Sequence, residues 1–99
     1  MIAEARSRID EIDDELACLF ARRLSLAGEI AAWKKENNMP IRDGAREREI
    51  VGRLTDGKPD DVADGIEALF AAIFDISRAY QAKAQNALGP GSPGAQGGA

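Results

Sequence analysis

Arg23 and Lys34 are the first residues of this chain whose types and spacing suggest chemistry. They are eleven positions apart, so at 100° per residue Lys34 falls about 20° further round the same helical face. Arg23 also occupies a slot in an apolar heptad series that reads Ile9, Ile12, Leu16, Leu19, Arg23, Leu26, Ile30 and Trp33. Spacings of three and four make a stripe that is expected to be buried. A guanidinium keeps its charge at any ordinary pH, and burying it is costly unless an anion meets it. Two fixed cations on such a face point to a site for a small polyanion. An internal salt bridge would satisfy them equally well, and this feature alone does not choose.

Other polar groups are less telling on their own. Pro40-Ile41-Arg42-Asp43 leads into Arg46-Glu47-Arg48-Glu49, which reads locally as a solvated helix face with charge pairs three and four apart. Ser77 and Gln81, four apart beside Phe70 and Phe74, read locally as a hydrogen bond at the edge of a core. The chain has no histidine and a single cysteine, which excludes cysteine–histidine catalysis and a zinc site of the usual Cys/His type. Cys18, next to the seam residue Leu19, is expected to be a buried structural thiol in a reducing compartment.

Composition narrows the class. Ninety-nine residues, 44% apolar and 30% charged, make one small globular domain. A net charge of −4 and a pI of about 4.8 argue against general nucleic-acid binding, which needs a broad basic surface. Any anion site must be a local pocket of cations in an acidic protein. Glu4, Arg6, Arg8 and Asp10 interrupt the N-terminus too early for a signal peptide, and no apolar run approaches membrane-spanning length. The cytoplasm is the expected location.

Three helices position these residues. The seam and its flanks predict one long helix from about Ala3 to Asn37, ended by Asn37-Asn38-Met39-Pro40. Asp43 is placed to cap a short helix from Gly44 to about Asp56, which Gly57 and Pro59 stop. Asp60 or Asp61 is expected to cap a third helix running to about Asn86, with Val62, Ile66, Leu69, Ile73, Ile76 and Tyr80 on one stripe. No stretch shows the alternation of strands, so the expected fold is all-α. From Gly89 to Ala99 the Gly/Pro-rich text predicts a flexible tail or an interdomain linker, with a fused partner enzyme as one explanation.

Length has its own consequence. A helix of about 35 residues is about 52 Å long, whereas a compact domain of this size has a radius of gyration of about 13 Å. One short and one medium helix cannot cover such a rod, so a second copy is expected to pair with it as a homodimer.

The pieces occur in a telling order: Arg6-x-x-Ile9-Asp10-x-Ile12-Asp13, Arg22-Arg23, Lys34, Pro40-x-Arg42-Asp43-x-x-Arg46-Glu47 and Ser77-x-x-x-Gln81. Over residues 3 to about 85 the chain resembles the all-helical class of chorismate mutases. That resemblance implies an intertwined dimer of three-helix subunits with two active sites, each lined by both chains. It implies that Arg23, with Arg6 of the partner subunit, binds the two carboxylates of chorismate. Lys34 would reach a carboxylate and the ether oxygen, and Gln81 would donate to the same oxygen. Asp43 and Glu47 would hold the ring hydroxyl end, while Arg46 and Ser77 complete the polar wall. Independently, Arg6 and Arg23 are seventeen residues, or about 25 Å, apart along one helix. Two side chains cannot close that gap around so small a ligand, but an antiparallel partner can bring its Arg6 to the middle of the first chain.

The implied reaction, chorismate to prephenate, is a unimolecular rearrangement that breaks a C–O bond while a C–C bond forms. It requires no nucleophile, metal or cofactor, and a site of Arg, Lys and Gln suits it. Two alternatives remain at this point. One is a sister activity on the same fold, as an isochorismate-pyruvate lyase or a 4-amino-4-deoxychorismate mutase. The other is a non-catalytic helical dimerisation module, whose Arg23 and Lys34 would be met by protein carboxylates with no pocket left over.

Overall fold

In the computed structural model, which describes residues 1–88, the chain is three helices and no strands. They are α1 (Ile2–Glu36), α2 (Gly44–Thr55) and α3 (Asp60–Ala87). All three expected elements are present within a residue or two of their anticipated ends. The Gly/Pro-rich segment expected to be a tail or linker lies outside the described residues.

Local chemistry explains each boundary. α1 ends in a Schellman arrangement: the Met39 N–H donates to the Lys34 carbonyl at 2.8 Å and the Asn38 N–H to the Lys35 carbonyl at 3.3 Å. Asn38 takes the left-handed φ of 55° that this cap requires, a conformation asparagine tolerates better than most residues. Asp43 caps α2, its Oδ1 accepting from the Arg46 N–H at 3.0 Å. Gly57, with φ of 73°, turns the chain after α2. The start of α3 differs from expectation. Pro59, extended at φ −59° and ψ 153°, is the cap residue, and its carbonyl accepts the Ala63 N–H at 2.8 Å. Asp60 and Asp61 instead lie in the first turn, where a carboxylate complements the helix dipole.

The third helix is the common neighbour. It packs against α1 on one side and α2 on the other, while α1 and α2 have no packed contact with each other. Small residues allow the α1–α3 approach: Ala27 and Ala31 are buried, and a Cβ on Gly28 would come within 3.3 Å of the Tyr80 ring. Further ties are the Gln85 amide donating to the Ala31 carbonyl at 2.9 Å and the Lys35 ammonium to the Gln85 carbonyl at 2.8 Å. Ile50 and Phe74 make the buried core of the α2–α3 seam.

The apolar heptad stripe does not enter this core. Its seven apolar members, Ile9 to Trp33, are 51 to 58% exposed, and Leu69, Ile76 and Tyr80 of α3 are also exposed. Cys18 is exposed too, so the expected buried thiol is not found in the protomer. For Ile9 to Leu19 and for Cys18 the reason is length: from Met1 to Leu19 every residue is exposed, because the first half of α1 extends beyond the helices that could cover it. Leu26, Ile30 and Trp33 instead lie on a face of the second half that α3 leaves open. The molecule is accordingly a slab of 61 × 27 × 14 Å with a radius of gyration of 17.5 Å.

Candidate active site

Because α1 and α2 flank α3 without touching, a trough runs between them with α3 as its floor. It is a cavity of about 440 Å³. Seven of the eight residues singled out in the sequence line it: Arg23 and Lys34 from α1, Asp43 at the α2 cap, Arg46 and Glu47 from α2, and Ser77 and Gln81 from α3. Arg6 does not. It sits in the exposed first half of α1, and none of the described residues brings it near.

Arg23 is half-buried, and no carboxylate pairs with it among the described residues. Its guanidinium lies over the rings of Phe70 and Phe74, 5.9 and 5.7 Å from their centroids. Those rings pack edge to face, 5.8 Å apart. The quadrupole of an aromatic face attracts a cation without neutralising it. The positive charge is therefore held in place and remains unmatched.

Lys34 is likewise half-buried, with no acidic partner among the described residues. Its Nζ donates to the Ile41 carbonyl at 2.9 Å. The Schellman turn after α1 produces this contact, since it folds the connecting segment back over the helix end. An ammonium has three N–H donors, so one bond to a neutral carbonyl fixes its position and leaves two.

On the floor, Ser77 is buried and its Oγ accepts from the Gln81 Nε2 at 3.1 Å. The Gln81 Oε1 is buried with no hydrogen-bond partner, which is uncommon for a polar atom. Ser77 thus pins one end of an amide that retains unused hydrogen-bonding capacity beside the cavity.

The polar groups from α2 and its cap are more thoroughly engaged. Asp43 acts as a helix cap. Arg46 turns its guanidinium to Glu49, with Nη1 2.8 Å from Oε1, the local charge pair expected of this segment. The Glu47 Oε2 accepts from the Arg78 Nη1, and the Arg78 Nη2 donates to Asp75. Hydrogen bonding to Glu47 holds the Arg78 pKa above the ordinary guanidinium value, reinforced by the charges of Glu47 and Asp75 and opposed by desolvation. Sequence reading missed Arg78. Its partner is thirty-one positions away on another helix, and no local spacing encodes that pairing.

Taken together, the cavity is lined along α1 by two unmatched cations and on its floor by amide and hydroxyl groups, while α2 contributes a carboxylate already paired with arginine. Such a site can hold a small dianion and present hydrogen-bond donors to its interior. Among the described residues, no helix is long and apolar enough to cross a membrane.

Residues 5–82 match the family described as chorismate mutase type II. Among curated relatives, a chorismate mutase of Methanocaldococcus jannaschii is 43% identical over 53 residues, 54% of each chain. A bifunctional chorismate mutase/prephenate dehydratase of Buchnera aphidicola is 39% identical over 83 residues, 82% of this chain and 22% of the relative. The enzyme of the same description from Escherichia coli K12 is 38% identical over 74 residues, 73% of this chain and 19% of its own. The matches thus span about half of the first relative and about a fifth of the bifunctional ones. No solved structure matches the chain significantly.

Proposed function

From the chain's place in the chorismate mutase type II family, to which it belongs, we propose that it converts chorismate to prephenate, in the cytoplasm and on the route to phenylalanine and tyrosine. The single observation that carries this reading is that Arg23 and Lys34 both line the cavity without a carboxylate partner. A dimerisation module would have neutralised them; a dicarboxylate substrate supplies the two missing charges.

Each group then has a task. Arg23 binds one carboxylate of chorismate, and Arg6 of the partner subunit binds the other. Lys34 donates to a carboxylate and to the ether oxygen, on which negative charge grows as the C–O bond breaks. Gln81, pinned by Ser77, donates to that same oxygen. Donors fixed in advance need no reorganisation at the transition state, which is why they accelerate the reaction. Asp43 and Glu47 hold the ring hydroxyl, with Arg46 and Ser77 on the polar wall. Clamping the substrate at both ends keeps its side chain over the ring, and this restriction supplies the rest of the catalysis.

The exposed apolar seam of α1 supports an intertwined homodimer. An antiparallel partner would cover the stripe and carry its Arg6 to the open end of the trough, completing a site that one chain leaves unfinished. Residues 1–88 make up the mutase domain in this reading.

An assay of chorismate and isochorismate side by side tests the proposal. Loss of chorismate absorbance with formation of prephenate, and no pyruvate from isochorismate, is the expected result. Release of pyruvate would assign the lyase activity instead, and turnover of neither substrate would leave the dimerisation module.

A further inference from the structure

Arg78 has no part in the proposed reaction, yet it borders two cavities. One is the trough. The other is a groove of about 690 Å³ on the opposite side of α2, and Glu47 and Phe74 line both as well. The Glu47–Arg78 pair therefore stands in the wall between them. Both side chains are largely shielded, 21% exposed for Glu47 and 23% for Arg78, whereas Asp75 is 75% exposed.

The two arms of the guanidinium have different partners. Nη2 meets Asp75 three residues earlier on the same helix, which anchors the fork to α3. Nη1 reaches across the seam to the Glu47 Oε2. A planar guanidinium held by one arm has little freedom in the other, so Glu47 meets a donor of fixed position. Glu47 lies in the first turn of a helix of only twelve residues, and its side chain has three torsions to settle. The bond takes Oε2 and leaves Oε1 as an unused acceptor. Seam packing alone does not call for this pair, since Ile50 and Phe74 already bury the apolar contact between α2 and α3.

We infer that Arg78 is a positioning residue for Glu47: anchored to α3 through Asp75, it holds the Glu47 carboxylate in place as the acceptor at the ring-hydroxyl end of the trough. The inference rests on the mutase reading and on the role given there to Glu47. Arg78 borders the trough, but its guanidinium is taken up by Glu47 and Asp75. Its effect on the reaction passes through Glu47 alone, and this dependence makes it separable from a structural clamp.

The test is a double-mutant cycle on the full chain, reading kcat/KM for chorismate in wild type, Arg78→Met, Glu47→Gln and the double variant, with melting temperatures alongside. Arg78→Met is expected to lose roughly ten- to a hundredfold, the scale of a misplaced positioning group, while remaining folded at the assay temperature. The same change in the Glu47→Gln background is expected to lose little more. Arg78→Lys, which keeps a cation for Glu47 but lacks the rigid planar fork that spans both carboxylates, should recover part of the loss. Wild-type kcat/KM in Arg78→Met overturns the inference, as do equal losses in the two backgrounds. Arg78→Gln repeats the measurement if the methionine variant does not fold, and failure of both to fold would make the pair a clamp. An inactive wild type would overturn the mutase reading and this inference with it; an active wild type with additive losses overturns this inference alone.

Discussion

An arginine within an apolar series needs a counterpart, and in the protomer Arg23 finds two phenyl rings. That contact is worth about 0.5–2 kcal/mol, so Arg23→Ala is expected to change unfolding free energy by no more than this. Removing a charged partner from a bound anion costs about 2–5 kcal/mol, and kcat/KM should fall by roughly 10²–10³ or more. A large drop in melting temperature would instead make Arg23 a structural residue. Gln81 permits a sharper question. A neutral amide donates at any pH, whereas an ionised carboxylate only accepts. Gln81→Glu should lose about 10²–10³ in rate at neutral pH and regain activity as the pH falls and its carboxyl acquires a proton to donate. Wild type should remain comparatively flat between pH 5 and 8. A variant whose kcat/KM rises with pH would remove Gln81 from the ether oxygen. Pairs on one helix, such as Ser77 with Gln81, were legible from spacing. The rings under Arg23 were not, because a heptad count shows that a charge sits on the stripe without showing which side chains of another helix lie beneath it.

Helix ends decide where the polar groups point. Asp43 both caps α2 and borders the trough, and two substitutions separate these tasks. Asp43→Ala should lose about 0.5–2 kcal/mol of stability with the cap. Asp43→Asn retains a capping oxygen and should unfold close to wild type, so any loss of kcat/KM in that variant belongs to the site. Equal destabilisation by both substitutions in denaturant titrations would mean that the carboxylate charge, rather than the cap, supports the helix. The cap itself was readable, as an aspartate one residue before a helical run. The turn after α1 was readable only as an ending. That it folds back to hand the Ile41 carbonyl to Lys34 follows from the left-handed Asn38, a torsion that an asparagine permits without specifying. At the start of α3 two aspartates drew attention from Pro59, whose extended backbone already provides the cap geometry.

At the scale of the whole molecule, the mismatch between one long helix and two shorter ones was legible by arithmetic alone, and the exposed stripe along α1 follows from it. A shared site makes a distinctive demand on mixtures. Arg6→Ala and Arg23→Ala should each be inactive alone, yet unfolding and refolding them together should restore activity. Half of randomly assembled dimers are mixed, each with one site carrying both lesions and one carrying neither, so about a quarter of wild-type activity is expected for two-fold pairing. No recovery despite demonstrated exchange of chains would place the site within a single chain. The bare first half of α1 has one more consequence. If the pocket's last cation is lent by a neighbour, as proposed, catalysis is subject to mass action. Far below the dissociation constant, halving the amount of chain quarters the number of complete sites, because their concentration follows the square of the free chain's. Abundance would then regulate this catalyst more steeply than one whose pocket lies wholly within a single chain.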